Sequence, residues 1–79
     1  AGAVTLHVRN AANVPAEVFS EQRGRMQRLA NVSAGAEFAV DTYRGRTFVV
    51  FFPCSRKAWR YTGKSDIKAE WVLPRRPCG

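Results

Sequence analysis

Apolar and polar residues alternate with a period of two through most of this chain. That is the mark of strands with one buried and one solvated face. Val4, Leu6 and Val8 alternate with Thr5, His7 and Arg9, which predicts a first strand ahead of a polar turn at residues 10–13. A second strand is predicted over 16–21, with Val18 and Phe19 on opposite faces, and a third over 26–32. Gln22, Arg23 and Gly24 form the hairpin turn between them, Gly24 being suited to positive φ. Ser33, Ala34 and Gly35 turn the chain into a fourth strand, where Phe38 and Val40 alternate with Glu37, Ala39 and Asp41. Tyr43, Arg44 and Gly45 turn it again into a fifth strand over 46–52. Residues 47–52 are apolar on both faces, so this strand belongs in the middle of the fold. Pro53 stops it. A short sixth strand is expected over 58–61 and a loop over 62–65. In a seventh, Ile67, Ala69, Trp71 and Leu73 alternate with Lys68, Glu70 and Val72, and Pro74 and Pro77 then end ordered pairing.

Helical periodicity is absent. No window keeps apolar residues at i, i+3, i+4 and i+7 for three turns, and the nearest candidate, 20–30, contains Gly24 and is dominated by charge. Regularly spaced turn signals between short strands predict an all-β fold, a small seven-stranded β-sandwich occupying residues 1–79 as a single domain. Arg-Gly-Arg occurs twice, at 23–25 and 44–46, each time at a predicted turn.

A domain of 79 residues is marginal on core burial alone. The two cysteines change that picture. Cys54 ends the most hydrophobic strand and Cys78 lies in a Pro- and Arg-rich tail that would otherwise fray. A Cys54–Cys78 disulfide would close a long loop and contribute roughly 3–4 kcal/mol in the chain-entropy model. It would also place the chain outside the reducing cytosol, secreted or periplasmic. The opening Ala1, Gly2 and Ala3 resemble a processed N-terminus. No stretch approaches the roughly 20 apolar residues a membrane-spanning helix needs.

Two cysteines and the single His7 do not make a zinc site, so no metal and no cofactor is expected. Nucleophilic catalysis needs a base beside the nucleophile, and His7 stands mid-strand between apolar neighbours. The expectation is therefore a protein that is not an enzyme and has no catalytic residue. The net charge is +7, and 10 of the 13 cations are arginine, the better residue for bidentate contact with phosphate, sulfate or carboxylate.

Val18, Phe19, Gly24, Gly35, the run Thr42-Tyr43-Arg44-Gly45, the aromatic strand from Phe48 and the closing run Glu70-Trp71-Val72-Leu73-Pro74 resemble the β domain of the von Hippel–Lindau tumour suppressor. The resemblance covers roughly residues 10–74 and implies a seven-stranded sandwich. That family recognises a hydroxyproline-containing peptide, and its pocket maps here onto Phe19, Leu29, Thr42, Arg46 and Phe48. Leu29 and Arg46 replace a tyrosine and a histidine that hydrogen-bond the ligand. What the resemblance carries over is the general mode, an extended peptide against a sheet, with Phe19, Thr42, Arg46 and Phe48 as candidate contacts. The triplet Trp59-Arg60-Tyr61 is similar to the active element of tendamistat-type α-amylase inhibitors, which display it in a tight turn.

The sequence thus points to an extracytoplasmic interaction module that binds a protein or peptide by sheet face or edge. Two alternatives stay open. One is polyanion binding, to nucleic acid or acidic glycan, through Arg23, Arg25, Arg28, Arg44 and Arg46 at the two turns. A second patch of Lys57, Arg60, Lys64 and Lys68 has Trp59 and Tyr61 between the cations. The other is a secreted inhibitor or toxin-like effector using Trp59, Arg60 and Tyr61. The same arginines could also serve only to solvate a small sandwich and protect its edges.

Overall fold

The computed structural model describes residues 4–63 and 69–78. They form seven strands: β1 (Val4–Arg9), β2 (Ala16–Gln22), β3 (Arg25–Val32), β4 (Glu37–Thr42), β5 (Thr47–Phe51), β6 (Ala58–Thr62) and β7 (Ala69–Val72). No helix occurs among the described residues, and so none long and apolar enough to cross a membrane. The strands divide into a three-stranded sheet, β4-β1-β7, and a four-stranded sheet, β3-β2-β5-β6. All neighbours pair antiparallel except β1 and β7, which run parallel.

The period-two pattern decides which side chains meet between the sheets. Leu6 and Val8 from β1, Val18 from β2, Phe48 and Val50 from β5, with Phe52 and Leu73 just beyond their strands, are fully buried in one cluster. Trp59 packs edge-on against Phe52 with ring centroids 5.3 Å apart, and Tyr61 stacks on Trp71 at 5.5 Å, joining β6 to the opposite sheet. β5 lies between β2 and β6, and Phe48, Val49 and Val50 are all buried, as its two-faced apolar run predicts.

Strand limits differ from expectation in ways the backbone explains. The β2–β3 turn is only two residues, Arg23 and Gly24, so β2 reaches Gln22 and β3 starts at Arg25. Both turn residues have positive φ, 52° and 78°, the pair that matches strand twist in a tight hairpin. β5 is shorter than 46–52: the Arg46 N–H donates within its turn to Tyr43 O, and Pro53 brings no N–H to extend the ladder beyond Phe51. β4 runs on to Thr42 and β6 to Thr62. β7 stops at Val72, although the Leu73 N–H still donates to Arg9 O at 2.9 Å. Ile67 and Lys68, which the sequence assigns to that strand, lie outside the described residues, as do Lys64 and Ser65. In β3, Leu29 has no partner on β2, because Val18 pairs Ala30 and Phe19 pairs Arg28. This bulge falls on an edge strand, where it discourages pairing with another chain.

Cys54 and Cys78 are joined, with Cα atoms 5.4 Å apart, and neither cysteine is free. The bridge is compatible with an oxidising compartment.

Candidate functional site

Consecutive strands reverse direction, so the connections fall into two groups. One end carries the β2–β3 turn, the β4–β5 turn and the chain leaving β6. The other carries the β1–β2, β3–β4 and β5–β6 connections and the disulfide-bonded tail.

Carboxylates are engaged on the outer faces of the strands. Arg28 Nη1 lies 3.1 Å from Glu17 Oε2, and Arg60 is paired with Glu21. His7 Nδ1 meets Glu37 Oε1 at 2.8 Å, and the Thr5 hydroxyl donates to Asp41 Oδ1 at 3.2 Å. On the four-stranded sheet these pairs flank Phe19 and Phe51, which pack edge-on with centroids 5.5 Å apart, and Val49 is buried on the same face. That face is therefore largely closed by its own side chains.

The turns at the first end are different. Arg23 and Arg25 meet no carboxylate among the described residues. Arg23, Gly24, Tyr43, Gly45 and Arg46 line an open groove of about 550 Å³ between the two Arg-Gly-Arg turns. A second groove of about 750 Å³ shares Gln22 and Arg23 and adds Arg25 and Gln27 from the overhanging β2–β3 hairpin. The sequence repeat thus becomes a single basic rim. Arg46 is held in place: its Nη1 donates to Asp41 O at 3.3 Å, and its guanidinium carbon lies 5.1 Å from the centroid of buried Phe48 and 6.0 Å from that of Tyr43. The turn itself is braced by Gly63, whose carbonyl accepts from Gly45 N–H at 2.9 Å and whose N–H donates to Arg46 O at 3.1 Å. A Cβ at Gly63 would come within 3.3 Å of Tyr43 O, so glycine permits this approach. Tyr43 remains exposed on the rim.

The residues inferred for a peptide pocket are not brought together. Phe19 pairs with Val49 and Phe48 with Ser20, so the two phenylalanines occupy opposite faces of one sheet. Phe48 and Thr42 are buried in the interior, and Thr42 Oγ1 has no hydrogen-bond partner among the described residues. Only Arg46 of the four reaches the rim. The second basic patch is likewise divided. Trp59 and Tyr61 pack inward from β6 while Arg60 faces outward to Glu21, and of the patch's described cations Lys57 alone lies over one of these rings, its Nζ 6.0 Å from the Trp59 centroid. The triplet lies within a strand, not a tight turn, and its three side chains share no surface. The period-two rule carried that signal in the sequence. Arg28, for its part, belongs to the ion pair on the outer sheet face, not to the rim. Lys64 and Lys68 lie outside the described residues.

No protein-family model matches this sequence, and no curated protein matches it.

Proposed function

We propose that this chain is a non-catalytic, extracytoplasmic binding module whose Arg-Gly-Arg end engages an acidic polysaccharide. The observation that carries this is the convergence of the two turns on one groove, whose one carboxylate among the described residues, Glu21, is already paired with Arg60. Arg23 adds to it. A non-glycine residue at φ 52° in a two-residue hairpin stands where Asn, Asp or Gly is preferred, so the charge is kept at a conformational cost. A chain of sulfates or uronates matches guanidinium forks, and exposed Tyr43 offers one ring face to a sugar. Among polyanions a glycan is favoured over single-stranded nucleic acid, because Trp59 and Tyr61 are half-buried, packed against Phe52 and Trp71, and offer no row of rings on which successive bases could stack. Seven strands in two sheets support the likeness to the von Hippel–Lindau β domain, but the family's peptide pocket finds no support in the positions of Phe19 and Phe48.

Binding of a sulfated oligosaccharide, followed by fluorescence anisotropy, is expected to weaken linearly in log affinity against log salt. Arg23→Ala and Arg25→Ala should each reduce that slope by about one. Salt-insensitive binding, or preference for single-stranded DNA of equal charge, overturns the proposal. Arg23→Asn separates charge from fold. It is expected to raise unfolding free energy by up to about 1 kcal/mol by relieving the turn while weakening the glycan.

One observation favours a second reading, that of a peptide added at a sheet edge. β3 is an edge strand, exposed from Arg25 to Arg28, a stretch that ends before the bulge at Leu29. Peptide binding that survives high salt and is lost on Gln27→Pro would support it.

A further inference from the structure

The opposite end of the sandwich carries cations that the first site does not use. Arg75 and Arg76 follow β7, and Arg56 and Lys57 precede β6. The disulfide brings these two segments together, since Cys54 and Cys78 each lie two residues from an arginine. Arg75 and Arg76 line a groove of about 420 Å³ against Ala11, Ala12 and Asn13. Arg76 also borders an adjacent one of about 360 Å³ beside Cys54 and Cys78. None of the connecting residues 10–15, 33–36, 52–57 or 73–78 is acidic. The nearby strand carboxylates Glu17 and Glu37 are already paired with Arg28 and His7, and exposed Glu70 lies further back along β7, level with His7. All four cations are exposed, and among the described residues none of them meets a carboxylate.

Four strands side by side span only about 15 Å. The longest dimension, 39 Å, therefore runs along the strands and separates the two ends. That exceeds the Debye length of about 8 Å at physiological salt several-fold, so a ligand at one end is electrostatically blind to the other. We propose that the tail end is a second anion-binding site for the same class of ligand, and that the molecule bridges two acidic glycan chains. The ligand class rests on the function proposed above; the bridging rests on the separation of the two basic ends. Bridging converts two weak contacts into avidity on a polymer without any new contact within either site.

A sandwich measurement with a short sulfated oligosaccharide, one unable to span 39 Å, tests this directly. Wild-type protein held on the immobilised oligosaccharide is expected to capture a second, labelled copy from solution. Arg75→Ala/Arg76→Ala is expected to keep the first capture and lose the second, and both replaced residues are exposed, so the fold is retained. Arg23→Ala/Arg25→Ala should also lose the second capture while still binding through the tail end. Failure of wild-type protein to capture the second copy overturns the inference and leaves the single-site function standing. Undiminished second capture by Arg75→Ala/Arg76→Ala overturns it as well, since a self-associated protein would behave that way. Loss of all binding in Arg75→Ala/Arg76→Ala alone makes the tail end the sole site, which overturns both the bridging and the function assigned to the Arg-Gly-Arg end.

Discussion

Replacing Asn10 with alanine is expected to lower the unfolding free energy by about 3–4 kcal/mol, measurable by urea denaturation. Asn10 follows β1 and is completely buried. Its Nδ2 donates to Val14 O at 2.8 Å and Val32 O at 3.0 Å, with Ser33 O at 3.3 Å. Its Oδ1 accepts from Ala12 N–H at 3.1 Å. The backbone takes part as well: Asn10 N–H donates to Ala36 O at 2.9 Å, and Gly35 N–H donates to Asn10 O at 2.8 Å. One side chain thus ties the β1–β2 connection to the β3–β4 turn. Alanine would leave buried carbonyls and an N–H without partners and open a small cavity. Asn10→Asp separates the hydrogen bonds from volume. It keeps the shape and the Oδ1 acceptor but sets a carboxylate oxygen against the Val14 and Val32 carbonyls, and the loss should equal or exceed that of alanine. A loss below about 1 kcal/mol in both variants would show that this end is held by the strands alone.

Removing the bridge with Cys54→Ser/Cys78→Ser is expected to cost roughly 3.5 kcal/mol from the closure entropy of the loop it spans. The cysteines are 24 residues apart, so the denatured chain gains a large freedom when they are parted. For a domain of this size that corresponds to a fall in Tm of about 20 °C, read by circular dichroism. Both cysteines are exposed, so the substitution opens no cavity and the effect isolates the cross-link. Leu73 stays buried and hydrogen-bonded to Arg9, so the tail is expected to loosen only beyond it. That released segment carries Arg75 and Arg76, so glycan bridging should be lost before the Arg-Gly-Arg end weakens. An unchanged Tm would show that the tail is held by its packing.

Most strands were legible in the chain because a half-buried sheet imposes its own period on side-chain polarity, and here β1, β2, β4, β6 and β7 carry that period. The central position of β5 was legible too, since only a strand flanked on both sides tolerates an apolar run such as Phe48, Val49 and Val50. So was the pairing of Cys54 with Cys78, as the chain has no other cysteine. The turn chemistry at Gly24 and Gly45 followed from local conformational freedom, and both glycines do have positive φ.

Other features depend on which strands become neighbours, and no local pattern encodes that. Arg60 and Glu21 are 39 residues apart and sit on either side of β5, so only the order β2-β5-β6 brings them together. Without it Arg60 reads as a free cation, as Arg28 does without the β2–β3 register that places it near Glu17. Asn10 reads as an ordinary polar turn residue until the β3–β4 turn packs over it. The two Arg-Gly-Arg copies lie at turns by local chemistry, but they share an end because two strands, β3 and β4, and the one reversal between them separate the copies. Local side-chain preference therefore determined the strands, the turns and the cross-link. The placement of charge, and with it the basic rim, was decided by long-range pairing, because electrostatic and hydrogen-bond partners are set by distance in space.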